Sequence, residues 1–147
     1  MNFCNNFNEI KGNEIELKIL YRDEGDDEEI PYYYYGIFLP GIKHSIGKIS
    51  IRIGHNYHSY YNGNIGYEID EEYQGHNYAY KASQLVIQVA KYHKMDYLIL
   101  TCDVSNGASA KTIEKLGARL IEVVMPPKDY LFYNDQMEPH KIYKLEI

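Results

Sequence analysis

The chain has 147 residues, with 21 acidic against 15 basic side chains and a net charge of -6. That is enough for one domain with a substantial core, and with no block of Lys or Arg the basic footprint of a nucleic-acid-binding protein is missing. No run reaches transmembrane length and Met1–Lys11 lacks the apolar centre of a signal peptide, so a cytoplasmic protein with no membrane partner is expected.

Residues 1–12 are polar and Asn-rich and read as a loose lead-in, with Cys4 in it. Glu14–Arg22 alternates, with Ile15, Leu17, Ile19 and Tyr21 on one face, as a half-buried strand does. Asp23–Glu29 is acidic and reads as an exposed loop. Pro31 opens a tyrosine-dense strand, Tyr32–Leu39, closed by Pro40-Gly41. Tyrosine occurs 17 times and tryptophan not at all, so rings with polar tips line much of the core and any cleft. Ser45–Ile53 is a further strand, Gly54–Asn62 a Tyr/His/Asn loop, and Asn62-Gly63 a hairpin signal. Asn64–Ile69 is a strand of aromatic and β-branched residues.

Ala79, Ala82, Val86, Val89, Ala90 and His93 then recur at spacings of three and four, which predicts a helix over Tyr78–His93. Asp96–Cys102 is a continuous apolar run, as a strand buried on both sides requires, with Cys102 as a core thiol. Strand, helix and strand make a βαβ unit with parallel strands. Ser105-Asn106 opens a second helix through Leu116, with Gly117 as its left-handed terminator. Ala118–Met125 is a strand, Pro126–Glu138 a loop and His140–Ile147 a closing strand. The expected fold is α/β: a single domain over 1–147, with one mixed sheet and helices on its faces.

Gln74-Gly-His-Asn, between strand and helix, delivers backbone N–H groups to a helix start. Those groups have no intrahelical partner, and the helix dipole adds roughly half a positive charge there. The loop is therefore a candidate anion site, and phosphate is the usual anion; a plain strand-to-helix turn is the alternative. Two cysteines far apart, and histidines without a supporting third ligand, give no metal site.

Two stretches carry a family resemblance. Gln74-Gly-His-Asn-Tyr-Ala79 resembles the acetyl-CoA motif of the GNAT family of N-acetyltransferases, Gln/Arg-x-x-Gly-x-Gly/Ala. Asn106-Gly-Ala-Ser-Ala-Lys-Thr-Ile-Glu-Lys-Leu-Gly117 is similar to that family's late helix. Serine three residues after the asparagine is the form of the branch that acetylates ribosomal-protein N-termini. The resemblance implies a GNAT-like fold with a splayed central strand pair. It also implies acetyl-CoA as co-substrate, its pyrophosphate on the N–H groups of Gly75, His76, Asn77, Tyr78 and Ala79 beside Gln74. Backbone groups near Tyr67 and Ile69 would bond the acetyl carbonyl and the pantetheine amides, Asn106 would bond the pantetheine arm, and Ser109 would sit near the sulfur.

Three departures stand out. Asn77 occupies the place of the motif's first glycine. Ile113 stands where many members carry the tyrosine that protonates the thiolate. The stretch Asp23–Pro31 is too short for the two helices that members place there. Amine acetylation needs a neutral amine, a polarised thioester and a proton for the leaving thiolate. Glu68 is a candidate base through water, or an outward strand carboxylate. Ser109 is a candidate donor to the sulfur, or an ordinary helix-start serine, and Tyr133 is a second candidate donor. The expected activity is direct transfer of acetyl to a primary amine of a small molecule or peptide in a ternary complex, with no metal. A catalytically silent CoA-binding sensor is the alternative, and a homodimer is left open. The acidic surface favours a cationic amine.

Overall fold

A computed structural model describes residues 1–147. Five strands form one antiparallel sheet: β1 (Glu9–Lys11), β2 (Glu16–Asp23), β3 (Tyr32–Phe38), β4 (Gly47–Arg52) and β5 (Ile65–Ile69), in that spatial order. A second sheet has β8 (His140–Glu146) between β6 (Tyr97–Asp103) and β7 (Arg119–Val124), also antiparallel. The helices are α1 (Tyr57–Asn62), α2 (Tyr78–Tyr92) and α3 (Gly107–Lys115).

The core lies where the apolar stripe of α2 meets one face of the first sheet. Ala82, Val86, Val89 and Ala90 are buried at the spacing that puts them on one helix face. Strand alternation turns Tyr33, Tyr35 and Ile37 of β3 and Ile49 and Ile51 of β4 into the same cluster. Two fully buried tyrosines need partners for their hydroxyls. Tyr35 donates to the carbonyl of Phe7 at 2.7 Å. The Tyr33 oxygen accepts from the Cys4 N–H and is paired with His93 Nε2, both at 2.8 Å.

Those contacts correct the expectation of a loose lead-in over residues 1–12. β1 pairs with β2, Ile10 opposite Leu17, and Phe3 and Phe7 pack against the core. A three-residue strand is too short to show alternation, and what holds this one is the distant tyrosines of β3.

The expected single mixed sheet is also corrected: there are two antiparallel sheets, and the strands flanking α2, β5 and β6, share no ladder. They are pinned at one point by Asn64, which is fully buried. Its backbone N–H donates to the Ile99 carbonyl at 2.6 Å and its Oδ1 accepts from the Ile99 N–H at 2.8 Å. Its Nδ2 donates to the carbonyls of Arg52 at 2.9 Å and Gly54 at 2.8 Å. Gly63 precedes it at φ 80°, and a Cβ there would meet the Ile99 carbonyl at 3.3 Å. Beyond this clamp the two strands part, and the splay expected from the resemblance is what the strands show.

No helix lies between β2 and β3; residues 24–31 form a turn held by Asp26, whose side chain accepts from the N–H groups of Glu28 and Glu29. Gly54–Asn62, expected as a loop with a hairpin turn, instead contains α1. Asn56 caps α1 by accepting from the Ser59 N–H at 2.7 Å, and the Ser59 hydroxyl accepts from the Asn56 N–H at 2.8 Å. Gly63 ends the helix, so the Asn62-Gly63 pair is a helix stop and not a hairpin. No helix is long and apolar enough to cross a membrane.

Candidate functional site

Between β5 and α2 the chain makes a short turn at Glu71–Tyr73 and then the polar loop 74–77. Gly75 has φ +88° and Asn77, the residue before α2, has φ 63° and ψ 21°. Two left-handed residues flanking His76 turn the loop's backbone, and Asn tolerates that region better than other non-glycine residues. The Asn77 side chain does not cap the helix. No acceptor within the protein is paired with the N–H groups of residues 75–80; the first inward bond of the helix is from Lys81 to the Asn77 carbonyl. A Cβ on Gly75 would meet nothing within 4 Å, so solvent space lies open above the loop. Free N–H groups at the start of a 15-residue helix, with open space before them, fit an anionic group such as a pyrophosphate. Gln74 holds the loop against the strand, donating through Nε2 to the Ile69 carbonyl at 3.0 Å. The rings of His76 and Tyr78 lie 5.4 Å apart at the loop's edge.

Down β5 from this loop, Tyr67 projects its ring toward α3. Its hydroxyl lies 2.8 Å from Ser109 Oγ, closing the space between the splayed strand and the helix. Burial pushes the Tyr67 phenol above its ordinary pKa, while the Ser109 and Thr112 hydroxyls oppose the shift. Asn106 caps α3, its Oδ1 accepting from the Ser109 N–H at 3.1 Å, which leaves its amide hydrogens available. Ile113 is 3% exposed and belongs to the core, so it offers nothing to a ligand. Tyr67, Asn106 and Ser109 are thus brought together, on β5 and the first turn of α3.

Glu68 follows Tyr67 on β5 and therefore points from the opposite face. It is exposed and stands opposite Lys48 in the β4–β5 ladder. Tyr133 is half-buried in the loop between β7 and β8, and its hydroxyl makes no hydrogen bond within the protein. The structure does not bring Glu68 or Tyr133 into contact with the Tyr67–Ser109 pair.

The face that carries Glu68 also carries Arg52, next to Gly66: a Cβ on Gly66 would meet Arg52 Nη1 at 3.4 Å. Arg52 donates to the Gly63 carbonyl at 3.1 Å, and Asn62, with its amide oxygen turned toward the guanidinium, accepts at 3.2 Å. A cavity of about 10 Å³, room for one water, lies against Arg52, Glu29, Asn56, His58 and Phe132. α1 and the β7–β8 loop enclose that side. The Tyr57 hydroxyl donates to Asp129 Oδ1 at 2.6 Å, His58 Nδ1 accepts from the Leu131 N–H at 3.0 Å, and Tyr61 packs on Tyr130. Where two helices were expected to be missing, a different and shorter helix supplies a wall. His58 stands in that wall, whereas His55 stacks on Tyr97 at 4.1 Å and is part of the scaffold. No group of three or more His, Cys, Asp or Glu side chains is placed to hold a metal ion.

Sequence reasoning missed Asn64 as the clamp of the splay, the Tyr67 hydroxyl and the α1 wall. Only α1 had a local signal, the Asn56-x-x-Ser59 capping pair.

Comparison with known proteins gives a consistent picture. Residues 9–119 match the acetyltransferase (GNAT) domain family. An acetyltransferase from Vibrio cholerae, provisionally assigned to ribosomal-protein serine, superposes with a TM-score of 0.67 at 17% identity, covering 95% of this chain and 97% of that one. The enzyme from Salmonella typhimurium that modifies the N-terminal serine of ribosomal protein L7/L12 superposes with a TM-score of 0.59 at 22% identity, covering 79% of this chain and 64% of that one. A microcin C7 self-immunity acetyltransferase in complex with acetyl-CoA and AMP has a TM-score of 0.60 at 21% identity, covering 79% of this chain and 61% of that one. The chain therefore spans less than two thirds of the length of the last two. No curated protein matches the sequence.

Proposed function

Because this chain belongs to the GNAT acetyltransferase family, we propose that it transfers the acetyl group of acetyl-CoA to a primary amine, directly, in a ternary complex. The observation that carries the reading is the row of unpartnered N–H groups over residues 75–80, in line with the gap between β5 and β6. In this reading the pyrophosphate sits on the loop and the pantetheine arm follows the gap. The thioester then reaches the level of Tyr67, where the Tyr67–Ser109 pair faces the sulfur.

The two faces of β5 divide the chemistry. Tyr67 and Ser109 lie on the α2–α3 side, which suits the leaving thiol. Gly66, Glu68 and Arg52 lie on the other, with Arg52 beside the acidic turn at 24–31 and the α1 wall, which suits the entering amine. Glu68 takes the ammonium proton through water in this scheme, and the exposed acidic turn draws a cationic acceptor. The acceptor class, a small amine or a peptide N-terminus, follows from the family resemblance and from the exposed acidic turn.

The test is turnover. Purified protein, acetyl-CoA and a pooled set of primary amines and short peptides are incubated and free thiol is followed. Amine-dependent thiol release supports the transferase. CoA binding without release on any amine supports the silent sensor suggested by Asn77, Ile113 and the absent helices.

A further inference from the structure

The family's usual proton-donating tyrosine is replaced by a core isoleucine, yet a phenol is present at the site from another element. We infer that Tyr67 is a positioning residue for Ser109: its hydroxyl donates to Ser109 Oγ and so turns the single serine proton toward the departing sulfur. The inference rests on the acetyl-transfer reading above.

The argument is one of hydrogen-bond inventory. A hydroxyl has one proton and two lone pairs. The Ser109 backbone N–H is already committed to Asn106 Oδ1, which fixes the serine at the first turn of α3. The Ser109 hydroxyl has one partner in the protein, Tyr67, at 2.8 Å. Either oxygen can donate when the site is empty. A thiolate beside Ser109 removes the ambiguity, because only a proton pointed at it is favourable, and the Tyr67 proton then falls on Ser109 Oγ. Burial favours the neutral phenol, so Tyr67 remains a donor and does not ionise. A donor feeding the serine oxygen also polarises the serine O–H, as hydrogen-bond chains do.

The step balances without a further acid. The neutral amine attacks the thioester carbonyl. When the C–S bond breaks, its electron pair goes to sulfur, where the Ser109 proton stabilises it by hydrogen bonding. The proton lost by the attacking nitrogen passes to water on the Glu68 side and, through solvent, neutralises the thiolate. Tyr67 and Ser109 end as they began.

The test uses Tyr67→Phe, which keeps the ring and removes only the hydroxyl, together with Ser109→Ala and the double variant. The thiol of bound CoA is titrated by its thiolate absorbance. In the wild-type protein its pKa should lie below that of free CoA. A charge-assisted hydrogen bond is equivalent to about one to two pKa units, and each single variant should lose most of that, with no further loss in the double. On an accepted amine, Tyr67→Phe should lower kcat about ten- to a hundredfold with KM for acetyl-CoA unchanged. A structural role would shift melting temperature and leave the bound thiol alone. An unchanged thiol pKa in Tyr67→Phe, or additive losses in the double variant, would overturn the inference. Thiol shifts as described with no amine acetylated by the wild-type protein would support the pair and refute the transferase. Failure of CoA to bind would refute both.

Discussion

Asn64→Ala is the substitution with the most informative consequence. Asn64 is fully buried and its side chain serves three backbone groups: the Ile99 N–H and the carbonyls of Arg52 and Gly54. Alanine removes all three bonds, leaving the N–H of buried Ile99 and the carbonyls of half-buried Arg52 and Gly54 without them. An unsatisfied buried group costs about 1–3 kcal/mol, and three at the low end give about 3 kcal/mol. That is a large share of the roughly 5–15 kcal/mol by which a domain is stable. At about 2–4 °C per kcal/mol for a chain of this size, the melting temperature should fall by roughly 6–12 °C. Urea unfolding gives the free energy and calorimetry the temperature. The same clamp sets where β5 and β6 begin to part, so the folded variant should also bind CoA more weakly. A loss below about 1 kcal/mol by that same accounting, with CoA affinity intact, would show that Asn64 is not what holds the two sheets at the base of the gap.

Other consequences are equally specific. Gly75→Val places a β-branched residue at φ +88°; the local space is open, so the penalty is in the backbone, about 1–3 kcal/mol. Calorimetry should show CoA affinity falling as the loop's N–H groups turn away, and unchanged affinity in a folded variant would refute the phosphate assignment. Asn77→Gly relieves a left-handed residue whose side chain caps nothing, so the unfolding free energy from urea titration should rise by less than about 1 kcal/mol with CoA binding retained; a clear loss of CoA affinity would make the Asn77 side chain a ligand contact. His93 is a pH-sensitive element: burial holds its pKa below the ordinary 6.5. Its Nε2 faces the Tyr33 hydroxyl, whose oxygen already takes the Cys4 N–H. The native state thus favours neutral His93, and its contribution is complete above the unfolded pKa and is lost as pH falls toward the lowered folded value. Thermal melts between about pH 7.5 and about pH 5.5 should show a smaller decline in His93→Gln than in the wild-type protein, and equal declines would refute the assignment.

The parts of this account that were legible in the sequence are those carried by local pattern. The α2 stripe follows from the spacing of Ala82, Val86, Val89 and Ala90, and the αL residues of the loop follow from Gly75 and Asn77. α3 follows from its Asn106 cap and from Gly117, which has φ +98°. What escaped depends on long separations. The join between the two sheets turns on one buried amide reaching 35 residues along the chain to Ile99. The Tyr67–Ser109 contact joins residues 42 apart. Among 17 tyrosines, nothing local marks the one whose hydroxyl meets Ser109. α1 is six residues of Tyr, His, Ser and Asn, poor helix formers that hold a helix through the cap and by packing on Tyr130. The lead-in strand has the same origin: β1 exists because Leu17 and the tyrosines of β3 are there to cover it.

Transfer itself is tested most directly by mass spectrometry of the acceptor pool after incubation with acetyl-CoA and protein. The account predicts an acetyl group on the nitrogen of at least one primary amine or peptide N-terminus, with CoA released in equal amount. The signal should fall about ten- to a thousandfold in rate with Ser109→Ala while CoA binding persists. Tight CoA binding with no acetylated amine at any concentration would contradict it, and would leave the chain a CoA-responsive binding domain on an acetyltransferase fold.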